Sequence, residues 1–202
     1  MKRFLLIILS AALTCIASSQ NFEGGILFGL TASQIDGDAY HGYNKVGLQG
    51  GGWVRRMFTY TLGGQMELRY VQKGALKTAD ANDPTYQRTS LHYIDIPIMA
   101  QYIYNDNLVL ELGIGPEILM SVKIEDENGV LPGFNPDDYN RFTMSAIAGV
   151  GYRFLDVVSF HFRFNYSILV IRPHPSGQTW LLNQGHYSNV LSFALYYEIG
   201  GN

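Results

Sequence analysis

The chain has 202 residues, 47% of them hydrophobic and 13% aromatic, with 22 glycines and a formal net charge of −3. Only 15% are charged, against roughly a quarter in soluble domains, and mean hydropathy lies near zero, too low for a bundle of transmembrane helices. One domain accommodates this length, and the acidic balance removes nucleic acid from the expected partners.

Residues 1–19, MKRFLLIILSAALTCIASS, place Lys2 and Arg3 ahead of an apolar run from Phe4 to about Ile16, followed by the small residues Ala17, Ser18 and Ser19. This is the order of a secretory signal peptide, and the run is shorter than the roughly 20 residues a spanning helix needs. Cleavage near Ser19 leaves 20–202 as the mature domain. Cys15 lies inside the leader behind Thr14, where a lipoprotein signal places a small residue, so the mature chain has no thiol and no disulfide. Without Lys2 and Arg3 the fourteen basic residues become twelve against seventeen acidic ones, a formal charge of −5.

Strand-like segments follow at about 24–35, 45–57, 60–75, 89–104, 107–124, 140–154, 157–171 and 188–199. Each is long enough for the 9–11 residues with which a tilted strand crosses a bilayer. Long connections (DGDAYHGYN, KTADANDPTYQR, EDENGVLPGFNPDD, RPHPSGQTWLLNQGHY) alternate with tight turns around Arg56–Thr59, at Asn105-Asp106 and at Leu155-Asp156. All long loops therefore emerge at one end of an up-and-down sheet. That asymmetry predicts an all-β, eight-stranded antiparallel transmembrane barrel of the outer membrane, with short periplasmic turns and long extracellular loops.

Residue parity supports this fold. In SFHFRFNYSI (159–168), Phe160, Phe162, Phe164, Tyr166 and Ile168 alternate with Ser159, His161, Arg163, Asn165 and Ser167. Leu62, Met66, Leu68 and Tyr70 oppose Gln65, Glu67, Arg69 and Lys73, and Leu108, Leu110, Leu112 and Ile114 oppose Glu111, Gly113, Gly115 and Glu117. The first strand alternates less cleanly, with Leu27 on the polar side. In a membrane barrel the apolar face meets lipid and the polar face the lumen. Eight strands leave an interior that side chains fill, so we expect a structural lumen network of Glu67, Arg69, Lys73, Asp95, Glu111, Glu117, Arg153, His161, Arg163 and Glu198, in which opposite charges pair. Tyr102, Tyr104, Tyr152, Phe154 and Tyr197 fit an interfacial girdle.

The stretches GLTASQIDGDAYHGYNKVGLQGGGWV, MELRYVQKGA, LHYIDIPIMAQYIY and LELGIGPEILMSVKI resemble the PorT-like outer-membrane β-barrel family, the porin-family proteins of Bacteroidota. The likeness runs over essentially the whole mature chain. Its most specific part is the pair ELRYVQKGA and YIDIPIMAQY, which matches the family's L-Y-x-x-K-G followed by Y-x-[ED]-[IV]-P. The resemblance places Glu67, Tyr70, Lys73 and Gly74 on the third strand and Tyr93, Asp95, Ile96 and Pro97 on the fourth. It implies a barrel rather than an activity, and one branch of the family serves type IX secretion and gliding. The ending YYEIGGN departs from the terminal aromatic residue common in such barrels.

Three other chemistries have candidate residues in this sequence. His161 alternates with Ser159 and Arg163, and Asp95 or Glu111 has the right type to orient it, but it lies near a periplasmic turn, the wrong end for a lipid-modifying enzyme of the outer leaflet. His41, His174 and His186 lie on loops next to one another once the barrel closes, yet no H-x-x-x-H spacing supports zinc. The acidic loop 125–138 lacks the order of a calcium loop. No catalytic residue, metal or cofactor is assigned. Trp180, Leu181 and Leu182 form an apolar contact patch in the fourth long loop. The expected partners are outer-membrane lipid and a protein met through the loops or the periplasmic turns. The expected function is a structural or interaction role with a filled lumen, ahead of a type IX secretion or gliding subunit, a lipid-modifying enzyme or a small solute channel.

Overall fold

The computed structural model describes residues 22–38, 42–79, 83–131, 135–174 and 185–200. The leader 1–19, His41 and the Trp180, Leu181, Leu182 patch lie outside the described residues.

Alternating apolar and polar residues build β1 (Phe22–Asp36), β2 (Lys45–Met57), β3 (Leu62–Lys77), β4 (Gln87–Asp95), β5 (Ile98–Tyr104), β6 (Leu108–Asp126), β7 (Gly129–Val130), β8 (Phe142–Leu155), β9 (Val158–Ser167), β10 (Arg172–Pro173) and β11 (Gly185–Gly200). The two-residue strands belong to the loops: β7 folds back on the tip of β6, and β10 pairs with the start of β11. The acidic segment 125–138 is thus partly a hairpin rather than one open loop. β4 and β5 are successive halves of one wall strand, leaving eight wall strands in the order β1, β2, β3, β4/β5, β6, β8, β9, β11. All pairs are antiparallel, and β1 closes on β11 from Gly24↔Gly200 to Asp36↔Tyr187. Closure leaves no sheet edge, which a wall surrounded by hydrocarbon requires.

The turns at one end span Phe58–Thr61, Asn105–Asn107 and Asp156–Val157, one or two residues beyond the places expected from sequence. Asn105 and Asp106 adopt φ of 49° and 61°, the left-handed region that short Asx side chains tolerate and tight hairpins need.

The expected fourth strand 89–104 is not continuous. Pro97 has no N–H to give the ladder, so β3 pairs with β4 down to Arg69↔Asp95 and resumes with β5 at Met66↔Ile98. Across the break, Glu67 N–H donates to Pro97 O at 3.0 Å and Ile96 N–H to Pro116 O at 2.9 Å, and the wall stays shut. A bulge beside His92/Tyr93 inserts Met120 into β6 and reverses its parity. Val109 to Leu119 face inward at odd numbers, and Val122 and Ile124 at even ones.

The two faces are inverted relative to a soluble sandwich. Phe28, Leu112 and Met120 are 64%, 68% and 62% exposed, while Arg163, Glu67 and Arg69 are 1%, 2% and 3% exposed. The lumen nonetheless departs from the expected all-polar filling. Leu27, Trp53, Ala194 and Tyr196 form an apolar cluster in the half nearer the tight turns, which accounts for the irregular position of Leu27. Ile35, Ala75, Leu91, Tyr93, Leu119, Ile124, Tyr139 and Ile171 form a larger one towards the long loops. Towards the long loops the interior thus closes with apolar side chains as a soluble core does.

Candidate functional site

Between these two apolar clusters the lumen holds a charged network centred on Arg163. Arg163 on β9 donates from Nε to Glu111 Oε2 at 2.6 Å and from Nη2 to Glu111 Oε1 at 2.9 Å. Its other face reaches Glu67, with Nη1 to Oε2 at 3.0 Å and Nη2 to Oε1 at 2.9 Å. In the ring, β6 is two strands from β9, and β3 lies diametrically opposite. A single guanidinium therefore spans the barrel. Its planar fork suits two bidentate carboxylates.

Gly149, on the strand between Arg163 and Glu111, explains the reach. A Cβ there would stand 2.6 Å from Arg163 Cγ and 2.9 Å from Phe162 O. Gly149→Ala is expected to cost about 1–3 kcal/mol through overpacking, whereas Gly50→Ala, whose nearest neighbours stand 3.5 Å away, should stay within about 0.5 kcal/mol. Urea unfolding of both variants in lipid vesicles checks the difference.

Neutral groups fill the remaining valences of the two glutamates. Gln65 Nε2 and Tyr196 Oη donate to Glu67 Oε1 at 2.6 and 2.9 Å, and Gln101 Nε2 donates to Glu111 Oε1 at 2.8 Å. Arg163 also lies over the Tyr196 ring at 5.1 Å. Towards the long loops, Arg69 donates to Asp95 Oδ2 from Nε at 2.9 Å and from Nη2 at 2.6 Å, and its Nη1 lies 3.7 Å from Glu67. Lys73 then pairs with Glu117 at 2.5 Å, and Ser145 Oγ donates to the same carboxylate at 3.0 Å.

Of the residues expected in the lumen, Glu67, Arg69, Asp95, Glu111, His161 and Arg163 come together in one network, with Lys73 and Glu117 as the next pair along. Glu198 belongs to a separate cluster at the tight-turn end, where Arg55 bonds Glu23 and approaches Glu198 at 3.4 Å. Arg153 is half-buried there and makes no ion pair among the described residues. Sequence reasoning missed Glu23, Gln49, Arg55 and Gln101 as parts of the filling, and left Gln65 and Tyr196 on the polar face without a place in the network. Their signal is parity: Gln49 and Arg55 share odd numbers with inward-facing Trp53 on β2.

His161 has the connections of a nucleophile relay, with Nε2 2.9 Å from Ser159 Oγ and Nδ1 3.1 Å from Glu111 Oε1. Glu111, however, is already bonded by Arg163 and Gln101. The cavity beside Ser159, bordered by Trp53, Arg55, Tyr196 and Glu198, has about 10 Å³ of space, room for about one water. An acyl substrate does not fit. The His174 and His186 rings lie 5.7 Å apart; the third imidazole of that candidate metal site, His41, lies outside the described residues. Among the described residues no three metal-ligating side chains gather.

Residues 17–170 match the family model described as outer membrane protein beta-barrel domain. The chain belongs to this family. Its place is accordingly the cell outer membrane; in such barrels the short turns are the periplasmic ends. No curated protein matches the chain. The barrel is similar in structure to Ail, the attachment invasion locus protein of Yersinia pestis, with 13% identity, a TM-score of 0.50, and 90% of this chain and 100% of that one covered. It is also similar to Neisserial surface protein A, with 11% identity, a TM-score of 0.52, and 87% and 96% covered. At these identities the likeness concerns the fold alone.

Proposed function

We propose that this outer-membrane barrel is a closed, non-catalytic scaffold that holds its long loops at the cell surface for contact with a protein partner. The observation that carries this reading is Arg163, fixed between carboxylates on opposite walls with its neighbours filled by glutamines and a tyrosine. A water-filled path for solutes would have to break several charge-assisted bonds at once. The full-length protein in planar bilayers should show no sustained open steps; large, stable conductance would refute the closed lumen.

A second reading follows from the PorT-like resemblance together with the periplasmic turn, where Phe58 is 66% and Tyr60 fully exposed. In that reading the barrel is a subunit of a secretion or gliding apparatus and uses this turn as its contact. Pulldown after crosslinking in mildly solubilised membranes separates the two. Apparatus subunits should be recovered only under the second reading, and Tyr60→Ala should then release them.

A further inference from the structure

Two loop segments meet over the long-loop mouth of the lumen. Residues 135–141 bring Tyr139, and residues 168–174 bring Ile171, into the upper apolar cluster, where the two are 5% and 0% exposed. The segments hold one another: Asn140 N–H donates to Ile171 O at 2.9 Å and Asn140 Nδ2 to Val170 O at 2.7 Å. Beside this contact, Arg172 lies over the Tyr139 ring at 5.3 Å and reaches Asp138 at 3.4 Å. The second segment rejoins the wall through the short β10–β11 pair. There Ile171 N–H donates to His186 O at 2.9 Å, and Arg172 stands opposite His186 in the ladder.

That joint gathers groups of one sign. The His174 and His186 rings stand 5.7 Å apart, edge to face, next to Arg172. With both imidazoles neutral the joint holds one cation; with both protonated it holds three. The carboxylates on the surrounding elements face other partners. On β1, Asp36 accepts from Gln34 Nε2 at 2.8 Å and from Asn189 Nδ2 at 3.4 Å. Just beyond β1, Asp38 bears on Tyr139, and in the first segment Asp138 faces Arg172. None of the three pairs with His186 among the described residues. Tyr187, next to His186, stacks on Tyr166. Gly37 packs so closely that a Cβ there would stand 3.3 Å from the His186 ring. Burial, reinforced by Arg172 and then by His174, holds the His186 imidazole below its ordinary range. The closed cap thus favours the neutral ring. This contribution to closure is complete above the ordinary histidine value of about 6.5 and is lost as the pH falls from there through the lowered one.

We propose that His186 and His174 form, with Arg172, an acid-sensitive latch: protonation at the β10–β11 joint drives Arg172 off the wall and lifts the cap from the lumen mouth. Ile171 must follow, being next to Arg172 in the chain and bonded to His186 O. Its departure uncovers Ile35, Leu91 and Tyr93 of the upper cluster, so the barrel presents an apolar surface at its long-loop end in acid and hides it at neutral pH. The Arg163 layer includes neither of these histidines, and the lumen below stays filled in both states.

Hydrogen exchange of the full-length protein in neutral detergent, compared at about pH 7.5 and about pH 5 after correction for the intrinsic pH dependence, tests the latch. The Asn140 and Ile171 amides should lose roughly tenfold protection at the lower pH, the equivalent of one unit between open-state and closed-state titration. Wall amides such as those of Val150 and Phe193 should keep theirs. His174→Gln combined with His186→Gln should leave the cap protected at both values. Equal protection of the unaltered protein at the two values, an acid-induced loss that persists in the double variant, or a loss that spreads to the wall would each overturn the proposal. If the double variant leaves the cap open throughout, NMR titration of His186 in the unaltered protein decides. The latch requires His186 to titrate below about 6.5, and titration at or above that value overturns it.

Discussion

Replacing Arg163 by Met is expected to destabilise the barrel by roughly 3–5 kcal/mol, the cost of leaving buried charges without their partner. Here two carboxylates are stranded, because Glu67 and Glu111 both depend on this guanidinium. Arg69 lies 3.7 Å from Glu67 and is itself held by Asp95, so it compensates little. Urea unfolding in lipid vesicles, followed by tryptophan emission, measures the loss. Adding Glu67→Gln and Glu111→Gln to Arg163→Met should recover most of it, since neutral amides of the same shape carry no stranded charge. An unchanged unfolding midpoint for the single variant would show that the Arg163 layer does not hold the lumen together.

Leu112→Arg, on the opposite face of the same wall, is expected to cost roughly 2–4 kcal/mol, the value for a cation near the bilayer midplane. Leu112 is 68% exposed and lies four residues above Leu108, which pairs with the girdle residues Tyr104 and Tyr152. Phe22→Arg, at the periplasmic rim and 54% exposed, should cost under about 1 kcal/mol. The depth dependence is the discriminating result. In a barrel surrounded by water, both substitutions would fall within about 0.5 kcal/mol of the parent.

Much of the fold was legible from one-dimensional pattern, for a physical reason. A strand's side chains alternate strictly between two faces, so in β3, β6, β9 and β11 a single run of residues states which side chains share an environment. The long and short connections then fix which end is which. Leu27 was illegible because an apolar residue on the polar face has no one-dimensional explanation; only the neighbouring Trp53, Ala194 and Tyr196 make it part of a cluster. Pro97 was visible in the sequence, but a missing N–H becomes a break only when the partner strand is known. The same holds for Met120, whose insertion is defined by the register between β4 and β6.

The site divides along the same line. By itself the sequence determined that Glu67, Arg69, Glu111, His161 and Arg163 face inward, that the other face meets lipid, and that the strands form an up-and-down barrel with its long loops on one side. Alternation and loop length are local properties, carried by neighbours along the chain. Only the tertiary structure decided that Arg163 crosses the whole lumen to Glu67, that Gly149 opens its way to Glu111, and that Glu111 is too fully bonded to serve His161 as a catalytic partner. Those facts depend on ring closure and on the stagger between strands, which bring together residues 96 positions apart and leave no trace in the spacing of either one.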